Sequence, residues 1–128
     1  MSEISSGFVV AVVDDDPSVL KSLEYLLESA DYTVRLFASG ADLLGRGNLQ
    51  EIDCLISDVD MPGIDGFDLL RQVRATRPAL PAILITGYPD TLKRFPVADG
   101  GNTLCFTKPF SGPELLAAVG VAVRKSRV

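Results

Sequence analysis

Short apolar runs alternate with amphipathic stretches of helical length along this chain, and that alternation limits its fold more than any other feature. Phe8 to Val13 is a continuous apolar run, as expected of a strand buried on both faces. Asp16-Pro17 then reads as a helix N-cap and first helical residue. Val19, Leu20, Leu23, Leu26, Leu27 and Ala30 recur at helical spacing. Thr33 to Phe37 fits a second strand. Ser39 and Asp42 stand at capping-box spacing and open a short helix through Leu44, which Gly45 and Gly47 stop. Cys54 to Ser57 is the third strand. Asp65 caps a helix bearing Phe67, Leu69, Leu70 and Val73 that ends before Pro78. Ala82 to Thr86 and Leu104 to Thr107 are the fourth and fifth strands. Ser111 and Glu114 form another capping box, ahead of a helix with Leu115, Leu116, Val119 and Val123. The length, 128 residues, suits one domain with a single core.

Strands and helices joined by short connections imply a parallel sheet covered on both faces. In such sheets ligands bind beyond the carboxyl ends of the strands. The unusual polar residues gather there. Asp14, Asp15 and Asp16 follow the first strand, Asp58 and Asp60 the third, Thr86 and Gly87 end the fourth, and Lys108 ends the fifth.

Carboxylates placed together repel. If Asp14, Asp15 and Asp58 lie about 5 Å apart, each like-charged pair costs roughly 3 kcal/mol at an effective dielectric near 20. Such a cluster raises a carboxylate pKa or recruits a cation. The donors are all oxygens, which suits a hard ion, and Mg2+ tolerates a site completed by water. With the charge offset, Asp58 can attack a phosphoryl group as a nucleophile, while Lys108 and Thr86 supply a charge and a hydroxyl donor to its oxygens. Gly87 leaves room for the group to approach. Asp16 and Asp65 read as helix caps.

Other chemistries are narrowed by composition. There is no histidine, which removes histidine catalysis and histidine metal sites. The net charge of −5 and the lack of a basic run argue against this domain gripping nucleic acid. Cys54 and Cys105 have no CxxC spacing and are expected to be buried, reduced strand residues. No apolar run approaches the roughly 18 residues of a membrane span. The N-terminus is acidic and carries no cleavage pattern, so a cytoplasmic location is expected. Two rivals use parts of the pattern. Asp58-Val59-Asp60 is the D-x-D of haloacid-dehalogenase-type phosphatases, but Met61-Pro62 follows where Thr-Leu or Thr-Val is usual. A flavodoxin would hold its FMN phosphate on the loop after the first strand, where three aspartates would repel it.

The motifs "VVDDDPSVLKSLEYLL", "CLISDVDMPGIDGFDLL", "ILITG" and "FTKPF" resemble, in order and spacing, the receiver domain of bacterial two-component response regulators, within the CheY-like superfamily. The wording is most similar to the FixJ/NodW branch, whose members usually add a helix-turn-helix DNA-binding domain. No such domain is expected here, so the protein would be a stand-alone receiver or part of a longer regulator. The resemblance runs from about Phe8 to Val123. It implies a receiver domain at 8–124, an N-terminal extension at 1–7 and a tail at 125–128. The implied fold is flavodoxin-like, a doubly wound five-stranded parallel sheet in the order 2-1-3-4-5.

Asp58 would be the phosphoacceptor, charged by a sensor histidine kinase or a phosphotransfer protein. Asp14, Asp15, Asp58 and the backbone carbonyl of Asp60 would hold Mg2+. Thr86 and Lys108 would bind the phosphoryl group. Lys108-Pro109 would be cis. The resemblance also implies no enzyme activity beyond self-phosphorylation and slow dephosphorylation, no direct nucleic-acid or membrane contact, an unidentified output partner, and a possible phosphorylation-dependent homodimer. A receiver-like module that signals without phosphorylation is the remaining alternative.

Two departures stand out. The position of the family's switch aromatic, three before the lysine, is Cys105. The aromatic is Phe106, which should face the other way. In "GYPDTLKRFPVADGG", Pro96 and Gly100-Gly101 oppose a regular fourth helix, so that helix is expected to be short, broken or displaced. Asp60 and Tyr88, each two places beyond a site residue, stand where the family tunes phosphoryl lifetime.

Overall fold

A computed structural model describes residues 7–94 and 102–126. The elements are β1 (Val9–Val13), α1 (Pro17–Glu28), β2 (Thr33–Phe37), α2 (Gly40–Arg46), a 3-10 turn (Leu49–Glu51), β3 (Cys54–Asp58), α3 (Gly66–Thr76), β4 (Ala82–Thr86), a 3-10 helix (Pro89–Arg94), β5 (Thr103–Thr107) and α4 (Gly112–Ser126). All strand pairs are parallel and the order is β2-β1-β3-β4-β5, as expected.

The period-2 alternation of strand side chains sorts the apolar residues into two cores. Ala11, Val13, Leu55, Ala82 and Leu84 face Phe67, Leu69, Leu70 and Val73 of α3 and Leu43 of α2. Val10, Val12, Cys54, Ile56, Ile83 and Ile85 face Leu23 and Leu27 of α1 and Leu115, Val119 and Val123 of α4. Full burial of each Leu, Ile or Val contributes about 1.5–3 kcal/mol. The caps fall where the sequence places them. Asp16 accepts from Ser18 N at 2.9 Å, Asp65 from Asp68 N at 2.9 Å, Ser39 from Asp42 N at 3.0 Å and Ser111 from Glu114 N at 3.3 Å.

Three expectations need correction or completion. Gly45 does not stop α2, which continues to Arg46 with Gly47 as its C-cap. Its backbone conformation stays helical there, and Arg46 is held by paired bonds to Asp42 at 2.7 and 3.0 Å. Cys54 is buried, but Cys105 is exposed. It lies on β5, an edge strand, and Leu104 beside it is 44% exposed. Between β4 and β5 the described residues hold the six-residue 3-10 helix. Pro96 and Gly100-Gly101, on which the expectation of a broken fourth helix turned, lie outside the described residues, as does most of the N-terminal extension. Among the described residues, no helix is long and apolar enough to cross a membrane.

The amino ends of the strands are clamped by side chains that periodicity does not reveal. Arg74 of α3 donates to Leu80 O and Asn102 O, both at 3.0 Å, and to Thr103 Oγ1 at 2.7 Å. Arg77 donates to Leu49 O and to Ile52 O. Asp53 accepts from Val9 N at 2.8 Å. Arg74→Met keeps the stem and removes all the donors. It should cost about 2 kcal/mol of stability, read as a lower urea midpoint at unchanged slope. An unchanged midpoint would show that the clamp is only decoration.

Candidate functional site

Four strand ends and their loops build the site. Burial of the apolar β1 run carries Asp14 to the first residue past its end, where it is 3% exposed. β3 ends on Asp58, 6% exposed. β4 ends on Thr86, which is fully buried. Lys108 follows β5, and its amide donates to Thr86 O at 2.8 Å. The Lys108-Pro109 bond is cis.

Carboxylate oxygens of Asp14, Asp15 and Asp58 all lie within 4.8 Å of one another, as the sequence predicts. Lys108 Nζ stands 3.3 Å from Asp58 Oδ1 and 3.8 Å from Asp14 Oδ2. The ammonium thus meets two of the three clustered carboxylates. Asp14 Oδ1 accepts from Asp16 N at 2.9 Å. Asp58 Oδ1 is wholly buried and makes no hydrogen bond among the described residues, so Lys108 reaches it as a charge rather than an aligned donor. A buried, unbonded carboxylate oxygen is costly unless a cation meets it. The orphaned oxygen and the all-oxygen donor set fit a hard divalent ion such as Mg2+.

Burial pushes the Asp58 carboxyl above its usual pKa. Lys108 and the Asp60 N–H work against that shift, and the Asp60 charge adds to it. Burial also raises Asp14, opposed by its bond from Asp16 N and reinforced by the charge of Asp58. Burial alone would lower Lys108, but the charges of Asp58 and Asp14 carry it upward instead.

These directions predict a pH dependence in metal-free buffer. Between the ordinary carboxylate pKa and the raised folded values, the folded chain holds more protons than the unfolded chain. Stability therefore falls as pH rises through that window. Asp14→Asn should flatten the fall and raise the neutral-pH melting temperature, at about 2–8 °C per kcal/mol relieved. A variant with the parent's pH profile would remove Asp14 from the repulsive cluster.

Sequence reasoning gave Asp60 a backbone carbonyl role and a place where phosphoryl lifetime is tuned, but did not foresee that its side chain bonds Thr86. The Asp60 carboxylate accepts the Thr86 hydroxyl at 2.5 Å. No strand or helix period signals that pairing, since Asp60 lies in the loop beyond β3. Cys105 shares a sheet face with Leu84 and Thr86 by register, whereas Phe106 pairs with Ile85 and packs into the α1–α4 core. Phe106 is therefore on the face opposite the one Thr86 occupies.

The comparisons converge. A family model described as the response regulator receiver domain matches residues 10–120. The response regulator protein TodT of Pseudomonas putida is 35% identical over 91% of this chain and 51% of its own length. The transcriptional regulatory protein FixJ of Bradyrhizobium diazoefficiens is 32% identical over 91% of this chain and 57% of its own. The chain thus spans about half the length of these curated relatives. A response regulator receiver domain protein from Clostridium thermocellum superposes with a TM-score of 0.82 at 26% identity, covering 94% of this chain and 97% of that one.

Proposed function

The chain belongs to the response regulator receiver domain family, and on that premise we propose that Asp58 is the phosphoacceptor of a two-component system. The observation that carries this is the Asp58 Oδ1 atom, buried, without a hydrogen bond, and 3.3 Å from the Lys108 ammonium. Asp14, Asp15, Asp58 and the Asp60 carbonyl would hold Mg2+. When bound, the ion supplies charge that offsets repulsion between the carboxylate and the incoming phosphoryl oxygens.

A carboxylate oxygen of Asp58 forms the new O–P bond while the N–P bond of a phosphohistidine breaks. The electron pair of that bond returns to the imidazole nitrogen of the donor. Lys108 holds its charge against a phosphoryl oxygen, and Thr86 turns its hydroxyl to another. The donor is a sensor histidine kinase or phosphotransfer protein. The protein's own chemistry is limited to this transfer and slow hydrolysis of the acyl phosphate, in a cytoplasmic setting.

The test is intact mass after incubation with acetyl phosphate. With Mg2+ the protein gains one phosphoryl group, and a chelator abolishes the gain. Lys108→Ala slows uptake by about 10²-fold, the scale for losing one electrostatic contact to the transferring group. Steady turnover of a phosphate monoester would favour the phosphatase reading instead. No uptake at all would favour a module that signals without phosphorylation.

A further inference from the structure

Thr86 has one hydroxyl proton, and its shortest bond is to Asp60, with Tyr88 O and Thr91 Oγ1 farther off, both at 3.3 Å. Thr86 Oγ1 donates to Asp60 Oδ2 at 2.5 Å, within the range of a hydroxyl–carboxylate bond. The same oxygen accepts from Tyr88 N at 3.0 Å. Thr86 is fully buried, whereas Asp60 is half-buried and Tyr88 exposed, so the strap lies at the rim of the site. Thr91 in turn donates its N–H and its hydroxyl to Tyr88 O, at 2.9 and 2.8 Å. One hydroxyl therefore straps the loop after β3 to the first turn of the 3-10 helix after β4.

We propose that the Asp60 carboxylate is a latch, which holds the Thr86 hydroxyl in the unphosphorylated chain and competes with a phosphoryl group on Asp58 for its single proton. The proposal rests on the reading of Asp58 as the phosphoacceptor and adds a positioning residue to it. A hydroxyl cannot donate one proton to two acceptors. When Thr86 turns to the phosphoryl group, the strap to Asp60 parts and the Tyr88–Thr91 turn is no longer tied to the loop after β3. This route needs no aromatic at position 105, where this chain has Cys105, and makes no use of Phe106, which packs in the α1–α4 core.

The test is a double-mutant cycle on binding of beryllofluoride with Mg2+, followed by calorimetry. The Asp60 charge also acts on Asp58 directly, so removing it strengthens anion binding even without a latch. The cycle separates the two effects. Asp60→Ala should bind beryllofluoride about tenfold more tightly, the scale of one hydrogen bond to a charged group. Asp60→Asn loses the charge but keeps an oxygen acceptor, and should gain less. In a Thr86→Val background only the charge effect remains, so Asp60→Ala should gain several-fold less affinity than it does in the parent. Equal gains with and without the Thr86 hydroxyl overturn the latch in favour of charge alone, and no gain overturns it outright.

A second readout uses the free protein. The Thr86 hydroxyl proton should exchange slowly and give a resolved proton resonance in the wild type, lost in Asp60→Ala. A wild type without that resonance, but with normal beryllofluoride binding, sinks the latch and leaves the phosphoacceptor reading standing. The resonance without any Mg2+-dependent beryllofluoride binding or phosphoryl uptake sinks the phosphoacceptor reading, and with it the competition.

Discussion

Asp58→Asn takes up no phosphoryl group from acetyl phosphate and Mg2+, and it melts at a higher temperature than the parent in metal-free neutral buffer. Both results follow from one change. The amide is nearly isosteric but lacks the nucleophilic oxygen anion, so the O–P bond has nothing to form from. It also removes one of three clustered negative charges, at a position that burial and a neighbouring acid already penalise. At an effective dielectric near 20 and about 5 Å, each lost repulsion is worth roughly 3 kcal/mol. The lost attraction to Lys108 offsets part of that, leaving a net gain of about 1–2 kcal/mol. Intact mass and differential scanning calorimetry read the two effects separately. Continued phosphoryl uptake would move the acceptor to another carboxylate, and a lower melting temperature would show that the Lys108 attraction outweighs the repulsion.

Gly66→Val should lose both stability and phosphoryl uptake. Gly66 opens α3, and its amide donates to Val59 O at 3.0 Å. A Cβ there would sit 2.6 Å from Asp58 O and 2.8 Å from Val59 Cα. Both are backbone atoms of the last residue of β3 and the residue after it, so neither can swing aside. Relief requires α3 to back away from the end of β3, moving the Asp58 peptide with it. Overpacking of this kind costs about 3 kcal/mol or more. Gly45→Ala in α2 is the matched control, since nothing lies within 4 Å of its added Cβ. It should stabilise by about 0.5–1 kcal/mol through helix propensity. Urea titration orders the pair, and equal midpoints would show that the close approach at Gly66 is readily relaxed.

The strands and the site were legible in the same residues, because apolar runs end where the acids begin, while the order β2-β1-β3-β4-β5 came from the family resemblance. Thr33–Phe37 and Ala82–Thr86 are strands with the bounds their β-branched and apolar residues mark. Asp16, Ser39 and Asp65 cap helices because short polar side chains compete for free amides. Other features depend on what lies across the fold. Nothing in Cys105 says that its strand is an edge. Arg74 reads as an exposed helix cation until Leu80 O, Asn102 O and Thr103 are brought beside it. Gly66 reads as an ordinary helix start until Asp58 O is found against it. The Asp60–Thr86 bond joins residues 26 apart, a pairing that neither strand nor helix period encodes.

The arginine and aspartate clamps all grip the edge where the strands begin, opposite the reactive aspartates. Arg74, Arg77 and Asp53 tie down the segments entering β5, β4, β3 and β1. Fastening and chemistry are thus housed on separate floors of the molecule. The upper loops can be exchanged by an engineer while the foundation that keeps the sheet in register stays as it is.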